Sequence, residues 1–520
     1  MGKILVLKSI DVKRLDWNCE LFGISSNQLM ERAGSSIVDV ITDRFNINGK
    51  KIVIICGPGG NGGDGLTAAR YLLSRDNVDL TVIIIESHRI TNPIVKERLE
   101  VLEKIHSTRI VEVKTIDDID KISDFILNAD IIVDAIFGVG FKGKPREPYL
   151  SIIKLINMSK GFKVSVDVPS GLDADTGSYV EAVKANLTVT FVDIKEGMLK
   201  AKELCGDIVV VDLGIPWDIR VAVGLIELSY VLRRRRRNAH KGDYGRVLVI
   251  GGSLMYTGAP SLAALAALKA GADLAVVYAP REASMIIKTY SPDLIVIPAN
   301  SKEYLTPDDL DRLKEIVDKF NVVILGPGMG LEEETKVFVN SFIELIDKPM
   351  VIDADAIKLL KGKDFNGRKH RVIITPHSYE FKLFTGRELP GFEKLRNRCI
   401  IVKEEAKRLN VVFLVKGMFD VISDGDRVLV NYTGNPLMTV GGTGDVLSGI
   451  TAAFYAQANN ALISAAAAAF INGLAGDLAT KDLARLTPTS LLEYVDKAIK
   501  IIEEKLGVKE RGSFILEYFH

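Results

Sequence analysis

Short apolar runs that give way to glycine-bearing loops, repeated along the whole chain, constrain the fold more than any other feature. In the first half they are KIVIICGPGG (51–60), LTVIIIE (80–86), ADIIVDAIFG (129–138) and FKVSVDVPSG (162–171), with GDIVVVDLGIP (206–216) closing the series. A strand with one wet face alternates apolar and polar residues. These runs stay apolar, so both faces are expected to be covered, as in the central strands of a parallel sheet between helices. A second series runs through GRVLVIGGS (245–253), LAVVYAP (274–280), VVILGPGMG (322–330), MVIDADA (350–356), HRVIITPH (370–377) and VVFLVKG (411–417). The alanine-rich SLAALAALKAGA (261–272) reads as one of the intervening helices. A chain of 520 residues exceeds what one core usually serves. The expectation is two α/β domains, each a three-layer α/β/α sandwich, with a boundary between 217 and 242.

Bulk charge narrows the functions available. Lys plus Arg equals Asp plus Glu at 67 each, so no net field favours nucleic acid or an anionic membrane as partner. The run RRRRRN (233–238) is an isolated exception, read as a solvated linker or an inter-subunit ion-pair surface. Four scattered cysteines, Cys19, Cys56, Cys205 and Cys399, suggest neither a disulfide framework nor a zinc knuckle. The start MGKILVLKSIDVKRLDWN lacks the apolar core of a secretory signal, and a cytoplasmic location is expected. The apolar stretch at 450–476 contains Gln457, Asn459, Asn460 and Asn472, so one or two close-packed buried helices are expected there, not a membrane span. Low cysteine and glutamine usage with abundant Glu, Lys and Arg would suit a heat-adapted source.

GPGGNGGDG (57–65) follows the run KIVIIC directly. Glycines there let backbone N–H groups converge on an anion, and the helix that follows adds unpaired donors. The GK[ST] ending of a P-loop is absent, and a plain turn built on Asn61 and Asp64 is the competing reading. Asp134 after IIV and Asp167 after KVSV favour a site, because ligands of open α/β sheets gather outside the carboxyl ends of strands. A small molecule held among Asn61, Asp134, Asp167 and Ser170 is expected. In the second half GGTGD (441–445) precedes VLSGITAAF. Helix-start donors there can neutralise phosphate, and Asp445 beside it can take a hydroxyl proton or hold a divalent metal. His88, His106 and His370 lack metal-like spacing, and Glu380 is read either as a helix cap or as support for the site.

LMERAG (29–34), GPGGNGGDG, DAIFGVGFKG (134–143), DVPSGLDADTG (167–177) and TFVDIKEG (190–197) together resemble the NAD(P)HX epimerases, which interconvert the R and S forms of hydrated nicotinamide cofactors at C6. The resemblance implies a Rossmann-like domain over 1–225. It implies substrate contacts from Gly60, Asn61, Gly62, Gly63 and Asp64, from Gly138, Val139, Gly140, Phe141, Lys142, Gly143 and Lys144, and from Asp167 near the reacting ring. It also implies potassium held by Asn61, Asp134 and Ser170; Gly60 stands where the family more often has asparagine.

The second half, through HKGDYGRVLVIGGS (240–253), GPGMG (326–330), TPHSYEF (375–381), Lys416–Gly417 and GGTGD, resembles the ribokinase-like superfamily and its ADP-dependent NAD(P)HX dehydratases. That resemblance covers 235–510 and implies ADP as co-substrate, NADHX and NADPHX as substrates, and magnesium at the dehydratase site; a homo-oligomer is expected besides. Gly328, His377 and Asp445 would contact the substrate, with Asp167 and Asp445 as the catalytic residues of the two halves. Lys416, Gly417, Met418, Phe419, Asp420, Gly441, Gly442 and Gly444 would bind nucleotide. Ser378 and Tyr379 depart from the more usual TPHPGE, which leaves loop shape open. Read together, the halves resemble the bifunctional NAD(P)H-hydrate repair enzymes. A ribokinase-like small-molecule kinase fused to a nucleotide-binding domain is the alternative, and a ligand-binding scaffold is a second one for the first half.

Overall fold

The computed structural model describes residues 6–75, 78–232, 235–236 and 238–507. The chain forms two compact units that divide between Arg220 and Val221. The first is built on seven strands: β1 Lys51–Cys56, β2 Asp79–Ile85, β3 Arg109–Val113, β4 Ile131–Ala135, β5 Phe162–Val166, β6 Leu187–Phe191 and β7 Asp207–Val211. All pair in parallel in the order β3-β2-β1-β4-β5-β6-β7, a Rossmann-like doubly wound sheet whose order reverses between β1 and β4. The unbroken apolar runs have the expected cause. Ile52, Ile54 and Cys56 of β1 join one core with the helices Ser26–Arg44, Gly60–Leu73 and Pro93–Glu103. Val53 and Ile55 join the core on the other face, under Asp120–Leu127 and Tyr149–Met158.

The second unit carries β8 Arg246–Ile250, β9 Leu274–Ala279, β10 Ile295–Pro298, β11 Val322–Leu325, β12 Met350–Ile352, β13 Val372–Ile374, β14 Val412–Val415, β15 Asp420–Ser423 and β16 Val428–Asn431. Their order is β10-β9-β8-β11-β12-β13-β14-β15-β16, parallel through β14 and antiparallel in the last two pairings. Residues 221–232, within the stretch 217–242 where the sequence places the boundary, join this unit. The Val223 N–H donates to the Val430 carbonyl at 2.9 Å, and Leu228 and Val231 enter its core. Arg233, Arg234 and Arg237 of the arginine run lie outside the described residues. Arg235 pairs with Asp273 at 2.8 Å and lies over the Tyr244 ring, an aromatic partner that the sequence reading did not credit to the run.

The stretch at 450–476 falls in two helices, Thr443–Ala458 and Ala461–Asp482. Asn459 at φ 50° ends the first, and the Asn460 side chain caps the Ile463 N–H at the start of the second. Ala461–Asp482 is the one described helix long and apolar enough to cross a membrane, yet 83% of its apolar window is buried inside the unit. Helix Thr443–Ala458 lies so close to Gly258–Lys269 that a β-carbon on Gly449 would stand 2.2 Å from the Ala263 carbonyl oxygen. Overpacking of this kind costs about 1–3 kcal/mol. Gly449→Val is therefore expected to lower the melting of the second unit and leave that of the first unchanged, measured by calorimetry.

Candidate active sites

The carboxyl ends of β1, β4, β5 and β6 in the first unit surround a cavity of about 680 Å³ at the point where the strand order reverses. Gly60, Asn61, Asp64, Gly138, Val139, Gly140, Phe141, Lys142 and Asp167 line it, so both predicted loops and the predicted aspartate meet in one place. Four predicted contacts stand outside its lining: Gly62, Gly63, Gly143 and Lys144. The first two are packing residues, since a β-carbon would stand 1.8 Å from the Gly57 carbonyl oxygen at Gly62 and 2.6 Å from Met30 at Gly63. Lys142 is held at the rim by Asp173 at 3.0 Å and Asp175 at 2.8 Å.

Asn61 and Ser170 both bond a cavity-lining residue the sequence reading did not select, Phe137, and Asp134 is joined to them through Ser170. The Asn61 side-chain amide donates to the Phe137 carbonyl at 2.9 Å, and the Phe137 N–H donates to Ser170 Oγ at 2.9 Å. Asp134 is wholly buried and accepts from Ser165 Oγ at 2.8 Å, the Ser170 N–H at 2.9 Å and the Ile136 N–H at 3.3 Å. Burial outweighs these neutral donors and raises its carboxyl pKa. Among the described residues no cationic side chain pairs with it.

Asp167 sits at φ 63°, a left-handed conformation an aspartate tolerates better than most residues. One of its oxygens accepts from Lys195 Nζ, from Thr190 Oγ1 at 3.1 Å and from the Phe191 N–H at 3.2 Å. Lys195 is 1% exposed and donates also to Thr190 Oγ1 at 2.8 Å and the Phe191 carbonyl at 3.0 Å. Two further carboxyls face the same cavity. Asp16, on helix Ser9–Leu21, is pushed up to about 6 by desolvation, with Asp167 and Glu20 adding and Lys195 opposing. Asp64 is raised well above the ordinary range by burial first, then by Asp167 and Asp16. The arrangement is three acids around one buried cation, and of these carboxyls Asp16, at about 6, lies close to neutral pH.

In the second unit Asp445 lies in the first turn of helix Thr443–Ala458, behind Gly442 at φ 99°. Desolvation, then Asp353 and Asp355, push its carboxyl up to about 7, against the pull of Lys416. Among the described residues no hydrogen bond or ion pair takes this carboxylate. Lys416, at the end of β14, pairs with Asp353 at 3.1 Å, and its Nζ lies 3.2 Å from where a Gly444 β-carbon would stand. Burial works against the lysine charge, but Asp353, Glu380 and Asp445 hold its pKa above the ordinary lysine value. The glycine turn thus has a cation beside it, supplied from a distant part of the sequence.

The predicted nucleotide stretch 416–420 forms the turn between β14 and β15. Asp420 fixes the turn by accepting from the Gly417 N–H at 3.1 Å and Asn431 Nδ2 at 3.0 Å; Met418 is exposed, and Phe419 meets Tyr432 edge-on at 5.1 Å. Beside it His377 caps helix Ser378–Thr385: its Nδ1 accepts the Tyr379 and Glu380 N–H groups at 3.2 Å, and Glu380 accepts the His377 N–H at 2.9 Å. Glu380 is therefore a reciprocal cap. Ser378 accepts from the buried Arg398 at 2.6 Å, whose guanidinium lies over the Phe392 ring packed against Gly417. That network gives the departing TPHSYE loop its shape. Gly328 is buried, and Tyr256 fills the space a side chain would take, 2.8 Å away.

Comparison with known proteins agrees with both halves. A family model described as YjeF-related protein N-terminus matches residues 26–197, and one described as NAD(P)H-hydrate dehydratase matches residues 247–497. The bifunctional NAD(P)H-hydrate repair enzyme of Pyrobaculum aerophilum is 42% identical over 500 residues, 95% of this chain and 98% of that protein. Its counterpart in Archaeoglobus fulgidus is 41% identical over 503 residues, with coverage of 95% and 98%. The chain belongs to the family of bifunctional NAD(P)H-hydrate repair enzymes. Among solved structures, the ADP/ATP-dependent NAD(P)H-hydrate dehydratase of Bacillus subtilis, co-crystallised with ATP and Mg2+, is 26% identical with a TM-score of 0.47, covering 53% of this chain and 97% of its own. The repair-enzyme family accounts for the pairing of a Rossmann-like unit with a ribokinase-like one in a single chain.

Proposed function

We propose that the protein repairs hydrated NADH and NADPH with two sites: the first unit interconverts (6R)- and (6S)-NAD(P)HX, and the second dehydrates the S form with ADP, giving NAD(P)H, AMP and phosphate. The observation that carries this reading is the Asp445 carboxyl, unpaired, beside Lys416 and the glycine turn at a helix start. Asp445 takes the proton of the C6 hydroxyl as that oxygen attacks the terminal phosphorus of ADP, and AMP leaves. Lys416 and the turn's N–H groups hold the phosphate charge. The phosphorylated oxygen then departs as phosphate while the ring nitrogen supplies electrons and the neighbouring C5 loses a proton. Magnesium accompanying the nucleotide would supply further neutralisation of the phosphate charge. Mixing the protein with hydrated NADH and ADP should restore the reduced-nicotinamide absorbance. ADP-dependent phosphorylation of an added alcohol without that recovery would establish a kinase instead.

In the first unit, the buried Asp134 without a cationic partner, together with Asn61, Ser170 and the Phe137 carbonyl, is an oxygen-donor set suited to a hard monovalent ion such as potassium. Potassium there would neutralise Asp134 and stiffen the 138–144 loop. Asp134→Asn is expected to abolish the potassium response of epimerisation and slow it by roughly 10–100-fold, the scale seen when metal-supporting groups are lost. Dehydration of pure S hydrate should be unchanged. Equal loss of both activities in a folded variant would sink the assignment.

A further inference from the structure

At the carboxyl end of β2, beside the glycine loop that follows β1, lies a charged cluster that the reaction described above does not use. β1 and β2 pair in register through Cys56 and Ile84, which brings Glu86 close to the start of the GPGGNGG loop. Glu86 is buried, at φ 50°, and one of its oxygens accepts from Arg146 at 2.5 Å, Tyr149 at 2.6 Å and Arg89 at 3.2 Å. Tyr149 in turn packs at 4.8 Å on Phe137, which lines the cavity, and Asn92, three residues beyond Arg89, lines it too.

In a doubly wound sheet a dinucleotide lays its pyrophosphate on the first glycine loop and its adenosine ribose over the end of the second strand. A free acid there bonds the 2′-hydroxyl and repels a 2′-phosphate. Here the acid is already occupied. One carboxylate faces two guanidiniums, so the cluster carries an excess positive charge. The Arg89 and Arg146 side chains remain 47% and 57% exposed. Each guanidinium has five N–H donors and gives Glu86 only a fraction of them.

We propose that Arg89 and Arg146, held by Glu86 at the end of β2, receive the 2′-phosphate of hydrated NADPH and favour it over hydrated NADH at the epimerase site. This rests on the epimerase reading above. The test measures kcat/KM for R-to-S exchange of each hydrate with the full chain and with Arg89→Met and Arg89→Met/Arg146→Met. The double variant is expected to lose ~10–100-fold on NADPHX, the range for one or two charge-assisted hydrogen bonds, and to leave NADHX unchanged. The loss on NADPHX should shrink as salt is raised. Equal loss on both hydrates, or none on NADPHX, would overturn the proposal. If the double variant unfolds, Arg89→Met alone must show the selective loss and Arg146→Lys must retain the preference. Absence of exchange of either hydrate by the unaltered protein would instead remove the epimerase reading itself.

Discussion

Asp445→Asn is expected to keep ADP bound and to slow dehydration by roughly 100-fold or more, the scale of a lost general base. The substitution keeps volume and removes the proton acceptor. Lys416 keeps its principal partner Asp353, and the backbone of the glycine turn is untouched, so calorimetry should find ADP affinity preserved. The pH dependence gives a second readout. Burial and the nearby Asp353 carboxylate place the Asp445 carboxyl at about 7, and a base works only when ionised. With the unaltered protein kcat/KM should therefore rise as pH increases through about 7 and then level, and the variant should lack that rise. Stability moves the other way. A carboxyl whose folded pKa is raised favours the fold while protonated and withdraws that support as pH climbs from the ordinary value of 3.8 through about 7. Asparagine has no proton to lose, so the variant's second unit should melt higher than the unaltered one above pH 7 and alike at low pH. A turnover loss that tracks ADP affinity or folded fraction would give Asp445 a structural role only.

Both layered units were legible in the sequence because the strands with two buried faces are continuously apolar, as Ile52 to Cys56 show. The edge strand β7 was read as well, but β3, β6, β10, β15 and β16 were not: β3 carries Glu112 and is mostly partly exposed, β6 interleaves Thr188 and Thr190 with its apolar residues, and β10, β15 and β16 are four residues each. The candidate sites divide in the same way. Asp134, Asp167 and Asp445 announce themselves by standing where an apolar run or a glycine turn ends. Asp353 has that signal too, at the end of MVID, yet was not singled out; only the fold brings it to Lys416, 63 residues away, and Ser448. Asp16 carries no local signal, and Lys195 has none beyond its place in TFVDIKEG. One lies on an ordinary helix and the other in a loop, and both acquire their setting from strands that close around them.

Lys195→Met is expected to have the largest effect in the first unit. The ammonium is nearly sealed from water and is the cation bonded to Asp167, with Asp64 and Asp16 close enough to feel its charge. Removing it leaves a buried carboxylate unpaired beside two more acids. Breaking a buried pair from one side costs about 3–5 kcal/mol, so the first unit should melt markedly lower. Asp167 can escape by taking a proton, which would leave it unable to act as a base and should reduce epimerisation by roughly 100-fold or more. Dehydration of the S hydrate, carried by the second unit, should persist. The double variant Lys195→Met/Asp167→Asn separates the two consequences. With neither charge buried, most of the lost stability should return, because replacing both partners of a buried pair is often neutral, while epimerisation should stay as low as in the single variant. Recovery of epimerisation along with stability would show that Asp167 and Lys195 serve only to hold the fold. An unaltered melting temperature in Lys195→Met would show that the pair is hydrated in solution and not the sealed contact seen here.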